Sequence, residues 1–159
     1  MENKNSINVE ERVAKARAYF ESGYNCAQAV VMAYNDIMSL TEDDAAKIAA
    51  PFGGGMGRLR EVCGTVSGMT MLAGAIQPSF DPKNMEERKA NYALVQEFAA
   101  AFREENGDIV CRRLLGLEPM HPQESPMPSE RTAEYYKKRP CVEYVASAAR
   151  IVGEYLKNR

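Results

Sequence analysis

The residues of this sequence with the richest chemistry are its four cysteines, since thiolates ligate metals, form disulfides and act as nucleophiles. They are Cys26, Cys63, Cys111 and Cys141. No two lie close together in the sequence, so C-x-x-C redox boxes, zinc ribbons, the bacterial ferredoxin pattern and the C-x-x-C-H haem motif are absent. Spacing alone also fits a plainer interpretation, in which each cysteine is a small buried apolar residue.

Each cysteine is predicted to lie in the first turn of a helix. Cys26 follows the candidate cap Asn25, and Cys141 follows a proline. Cys63 follows a glycine-rich loop, and Cys111 lies three residues after a candidate capping aspartate. A helix start presents unpaired N–H groups and about half a positive charge, which favour a thiolate and lower a thiol pKa. We therefore expect the four sulfurs to gather in one pocket ringed by helix starts.

Basic residues stand close to three of the cysteines in the sequence. Two precede Cys63, two follow Cys111 and three precede Cys141. They are Arg58, Arg60, Arg112, Arg113, Lys137, Lys138 and Arg139. A cation that faces a thiol would lower its pKa further, whereas one on a solvated face would be screened. Of the four, Cys63 is the predicted nucleophile.

Glycines surround Cys63. Gly53, Gly54, Gly55 and Gly57 precede it, and Gly64 follows it. The cluster matches neither a dinucleotide fingerprint nor a P-loop, so two interpretations remain: a tight turn between helices, or a nest of amides that positions the Cys63 sulfur beside a cofactor. The glycines at 64 and 68 each cost a helix about 1 kcal/mol relative to alanine, which predicts close packing of another element, such as one with a second cysteine.

Apolar periodicity and capping residues predict an all-α protein, a single domain of about six to eight unequal helices. The expected helices cover residues 8–22, 25–39, 41–50, 62–76, 84–105 and 108–115; a short one begins at Ser129, and the last covers residues 140–156. Residues 1–7 are expected to be flexible and residues 8–159 to form the domain. His121, the single histidine, is predicted to be a surface residue in a proline-rich loop.

Composition excludes several functional classes. The chain has 159 residues, 45% of them hydrophobic, with 20 basic and 22 acidic residues and a net charge of −2. That balance argues against nucleic-acid binding and against disorder. The uncharged helix before Pro78 offers about 15 residues, roughly 22 Å, which is too short for membrane insertion. Without a signal peptide, the expected location is the cytoplasm, where thiols are reduced.

The motifs resemble a known family. Residues 53–57 (GGGMG), residues 63–68 (CGTVSG) and lone cysteines on either side are similar to the C_GCAxxG_C_C family of small bacterial and archaeal proteins, described as redox-active. The resemblance covers residues 10–155, with one departure, Thr65 in place of the alanine of the box. It implies that all four cysteines carry redox chemistry.

Three hypotheses remain open. In the first, a thiolate attacks a small-molecule oxidant or the disulfide of a redox partner, and a second cysteine resolves the product. In the second, Cys26, Cys63, Cys111 and Cys141 ligate an iron–sulfur cluster or zinc. In the third, the protein is a helical interaction module, such as a homo-oligomer, in which the cysteines only pack.

Overall fold

The structure, a computed structural model, describes residues 6–117 and 124–159, without the side chain of Lys138. Within those ranges it has eight α-helices, one short 3-10 helix at Ala50–Phe52 and no strand. The α-helices are α1 Val9–Glu21, α2 Cys26–Met32, α3 Glu42–Ala49, α4 Gly64–Ile76, α5 Met85–Asn106, α6 Cys111–Leu114, α7 Ala133–Lys138 and α8 Cys141–Asn158. The predicted all-α class is confirmed. No described helix is long and apolar enough to cross a membrane, and His121 lies outside the described residues.

Polar side chains begin five of the helices. A side-chain oxygen accepts a hydrogen bond from the backbone N–H three residues further on, which satisfies one of the unpaired donors at the helix start. The five residues are Asn8, Asn25, Thr41, Asn84 and Thr132. Asn25 also forms a capping box with Gln28, so the start of α2 is well defined beside Cys26.

The second helix is shorter than predicted. It ends at Met32 rather than near Ser39, and residues 33–39 form tight turns. The carbonyl of Ala33 accepts a hydrogen bond of 2.8 Å from the Arg12 guanidinium of α1, and Ser39 has a φ of 55°, which no right-handed helix accommodates. A contact from another helix therefore helps to end α2, where the local pattern would have continued it.

The predicted helix start at Ser129 is also wrong. The Ser129 hydroxyl accepts a hydrogen bond of 3.3 Å from Arg58. The cap of α7 is Thr132, three residues after Ser129, and the helix begins at Ala133. Likewise, Asp108 does not cap α6. Its carboxylate accepts from the next two backbone N–H groups in a turn, and α6 begins at Cys111 without a side-chain cap.

The core packs the helices so that several of their starts meet on one side. Helix α8 packs against α1, α2, α4 and α5. The buried Tyr34 hydroxyl donates a hydrogen bond of 2.7 Å to the carbonyl of Ala149, which ties the turn after α2 to the middle of α8. Phe98 of α5 meets Tyr155 of α8 edge to face at 5.5 Å. Distant segments are thereby held at fixed separations around the cysteines.

Candidate functional site

All four cysteines line one cavity of about 480 Å³. Cys26, Cys111 and Cys141 are the first residues of α2, α6 and α8, and Cys63 directly precedes α4. The predicted placement at helix starts is therefore confirmed. All four are free thiols in the structure. Residues that are 115 positions apart in the chain thus contribute to a single site.

A backbone bridge places Cys63 beside Cys111. The Cys63 N–H donates to the carbonyl of Ile109 at 2.8 Å, and the Cys111 N–H donates to the carbonyl of Glu61 at 2.6 Å. The two segments pair in antiparallel fashion at Val62, opposite residue 110. This pairing uses the backbone N–H of Cys111 and holds the segment before α6 against the segment before α4.

Gly64 allows α2 to approach α4 at the position of Cys26. A Cβ atom at Gly64 would lie 2.5 Å from the Cys26 Sγ and 2.9 Å from the carbonyl oxygen of Phe52. At Gly68, one turn later, a Cβ would lie 3.1 Å from the Cβ of Val30. The predicted close packing of a cysteine-bearing element against these glycines is confirmed.

The glycine-rich loop forms a left-handed turn. Residues 54–58 all have φ between 56° and 71°, a region that costs an ordinary residue roughly 1–2 kcal/mol. The Gly54 backbone lowers the pKa of Cys26, and a Cβ at Gly55 would lie 2.7 Å from the Cβ of Cys111. The loop therefore packs against Cys111 and lines the same cavity as Cys26 and Cys63, while its role in positioning the Cys63 sulfur stays a prediction. Five glycines line the cavity itself: Gly23, Gly53, Gly54, Gly57 and Gly64.

Two side chains contact the sulfurs directly. The Thr65 hydroxyl lies 3.1 Å from the Cys63 Sγ, so the residue that departs from the family box is a hydrogen-bond partner of its own cysteine. The Arg60 guanidinium lies 3.7 Å from the Cys111 Sγ and is itself only 5% exposed. The sequence places this arginine near Cys63, but the left-handed turn directs it to Cys111 instead.

The thiol pKa values differ from the sequence prediction. Burial raises the pKa of Cys26, and the nearby Cys111 raises it further. Burial also raises the pKa of Cys63, and it raises that of Cys141 to about 12. The predicted effect of helix starts exists, because backbone N–H donors lower the pKa of Cys26, but it is outweighed by burial. Cys63 is only 6% exposed, and its role as the nucleophile stays a prediction.

Several other basic residues lie around the site. Arg112 and Arg113 form partly exposed ion pairs with carboxylates at 3.0 and 3.7 Å. Arg58, Arg139 and Arg131 line the cavity, together with Tyr135 of α7. No sequence pattern pointed to Arg131 or Tyr135, because neither lies near a cysteine in the chain.

The described residues do not form a site for a single metal ion. Within residues 6–117 and 124–159, no group of three or more histidine, cysteine, aspartate or glutamate side chains is arranged to hold one ion. The four thiols are nevertheless close enough to act on one another electrostatically: Cys111 raises the pKa of Cys26, Cys63 and Cys141. Four cysteine thiolates that line one cavity are a donor set that both iron–sulfur clusters and zinc use.

Comparison with known proteins agrees with this geometry. A family model described as "Putative redox-active protein (C_GCAxxG_C_C)" matches residues 24–155, which include all four cysteines and the glycine-rich loop. No curated protein and no solved structure gives a significant match. Since the family model covers well over half of the 159 residues, the chain belongs to the C_GCAxxG_C_C family of redox-active proteins.

Proposed function

We propose that the protein is an electron-transfer protein whose four cysteines ligate an iron–sulfur cluster. The observation that carries this proposal is that all four thiols, from four separate segments, line one cavity. Four cysteine thiolates are the usual ligand set of such clusters. When bound, a cluster of this kind takes up and releases single electrons.

Burial favours ligation over free thiol chemistry. Because burial raises the pKa of Cys26, Cys63 and Cys141, it disfavours their ionisation as free thiols. A buried thiolate needs a nearby positive charge, and a coordinating metal deprotonates a thiol outright. These three groups would therefore suit ligation better than attack as free thiolates.

The chain supplies donors that would tune such a centre. Backbone groups, including that of Gly54, lower the pKa of Cys26, and the Cys63 sulfur has the Thr65 hydroxyl at 3.1 Å. The Arg60 guanidinium faces Cys111. Hydrogen bonds and positive charge at ligand sulfurs stabilise the more negative, reduced state, so these groups would raise the reduction potential.

A second candidate is thiol–disulfide exchange that begins at Cys111. The specific observation is that the Arg60 guanidinium lies 3.7 Å from the Cys111 Sγ. A cation at this position would favour attack by Cys111 as a thiolate. This thiolate would attack a disulfide of the partner, form a mixed disulfide and release one partner thiolate, which takes up a proton. A second cysteine would then displace the other partner thiol, so that the protein is oxidised by two electrons and the partner disulfide is reduced.

One experiment separates these functions. Protein purified without oxygen should contain about two or four iron atoms per chain with matching sulfide and should absorb visible light. Each of Cys26→Ser, Cys63→Ser, Cys111→Ser and Cys141→Ser should lose iron or shift the spectrum, whereas the exposed Thr70→Ser of α4 should not.

Other outcomes would contradict the cluster. Colourless, iron-free protein in which Cys111 is alkylated fastest, and Arg60→Gln slows that alkylation, would establish exchange instead. If all four thiols react slowly and no metal binds, the cysteines only pack, and the helical interaction module remains.

A further inference from the structure

The wall of the cysteine cavity is strongly cationic. Four arginines line it, Arg58, Arg60, Arg131 and Arg139, and among residues 6–117 and 124–159 no aspartate or glutamate does. Its volume of about 480 Å³ exceeds what four thiols need and lies within the range of small-molecule sites. The cavity therefore offers space and positive charge beyond the sulfurs themselves.

Two of these arginines are already paired. The Glu124 carboxylate lies 2.6 Å from the Arg60 guanidinium and 3.5 Å from that of Arg58. Arg58 also donates to the carbonyl of Ser125. These contacts hold both guanidinium groups and offset part of their charge, so they leave little capacity for a ligand.

Among the described residues, the partners of the other two arginines, Arg131 and Arg139, are all neutral groups. Arg131 lies over the rings of Phe20 at 4.6 Å and Tyr135 at 5.0 Å, and it donates to the carbonyl of Tyr24 at 3.2 Å. The Arg139 guanidinium also lies over the Tyr135 ring, at 5.3 Å from its centre. Neither forms an ion pair with a described carboxylate, and both are half-buried.

This arrangement holds two positive charges in place without neutralising them. Stacking on rings orients a planar guanidinium but leaves its charge and most of its N–H donors available. Both side chains line the cavity that the four cysteines also line, Cys141 among them. An anion bound by these two arginines would therefore share one cavity with the sulfurs.

We propose that the cavity binds a small molecule with an oxyanion group, a carboxylate, sulfate or phosphate, on Arg131 and Arg139, with the rest of the molecule facing the cysteines. Guanidinium groups bind such oxyanions through paired N–H donors. The inference rests on the proposed function, because it takes this molecule to be a ligand of the proposed redox site.

Calorimetric titration with sodium sulfate, inorganic phosphate and succinate tests the proposal and distinguishes the three oxyanions. At least one should bind, and Arg131→Gln and Arg139→Gln should each weaken it about tenfold or more. The control is Arg103→Gln, an exposed arginine of α5 that removes the same charge far from the cavity wall. Should Arg131→Gln fail to fold, Arg139→Gln tests the same point, because residue 139 lies outside a helix.

Binding of none of the three probes, or equal weakening by Arg103→Gln, would overturn the proposal. A variant with all four cysteines replaced by serine tests whether the arginines only balance the charge of the sulfurs. Anion binding retained in that variant supports the proposal, whereas binding that appears there alone overturns it. Iron content of the wild-type protein is measured separately, so loss of the cluster hypothesis and loss of the anion site give different results.

Discussion

Alanine at Gly64 should have the opposite effect to alanine at Gly74, although both lie in α4. In a helix, glycine to alanine normally stabilises, by at most about 1 kcal/mol. A Cβ at Gly74 meets nothing within 4 Å, so Gly74→Ala should show this gain. A Cβ at Gly64 would lie 2.5 Å from the Cys26 Sγ and 2.9 Å from a backbone oxygen.

The cost at Gly64 follows from what would have to move. The Cys26 sulfur has little room because burial and neighbouring groups enclose it, and the carbonyl of Phe52 belongs to the backbone. Overpacking of this kind typically costs about 1–3 kcal/mol. The free energies of unfolding of Gly64→Ala and Gly74→Ala should therefore differ by about 1–3 kcal/mol, with Gly64→Ala the less stable.

Urea denaturation of both variants under reducing conditions measures this difference, with equal m-values as the check that the unfolded states are comparable. Iron content measures the second consequence, because displacement of the Cys26 sulfur should reduce cluster loading in Gly64→Ala and leave Gly74→Ala unchanged. If Gly64→Ala is as stable as Gly74→Ala and loads iron fully, then α2 does not approach α4 as closely as the structure shows, and the argument for a shared site loses its main contact.

Three further predictions concern the loop, the core and pH. Gly55→Ala should destabilise more than Gly57→Ala in urea denaturation: both pay roughly 1–2 kcal/mol for positive φ, but only at Gly55 would a Cβ meet Cys111, at 2.7 Å; equal losses would contradict this. Tyr34→Phe should cost about 1 kcal/mol of unfolding free energy, because the hydroxyl donates to a carbonyl of α8 at 2.7 Å; no loss would mean that this bond contributes nothing. The pKa of Cys141 is raised from 9.0 to about 12 on folding, so its contribution to metal-free stability is complete below pH 9 and is lost as the pH rises toward 12; Cys141→Ser should flatten that decline, and an unchanged slope would count against it.

Local patterns were sufficient for the helices and for where the cysteines lie on them. Asn25 and Thr41 cap helices because their side chains reach N–H groups three residues away, an interaction within a single turn. Gly64 was likewise informative, because a glycine in a helix carries a cost that points to a close neighbour.

Sequence patterns gave wrong helix boundaries where a group distant in the chain hydrogen-bonds to the atoms at that boundary. The end of α2 involves Arg12 of α1, and the Ser129 hydroxyl that could have capped a helix is bonded to Arg58. The direction of the thiol pKa shifts was also wrong, since burial depends on every element packed around a sulfur, whereas the helix-start effect depends on one turn.

The sequence by itself determined the helical class, the family and the position of the four cysteines at helix starts, because these depend on composition and on contacts within a few residues. Only the tertiary structure decided that Arg60 faces Cys111, that Arg131 and Tyr135 belong to the cavity, and that burial raises the pKa of Cys26, Cys63 and Cys141. Those features depend on distances between segments far apart in the chain, and packing of the whole core sets such distances.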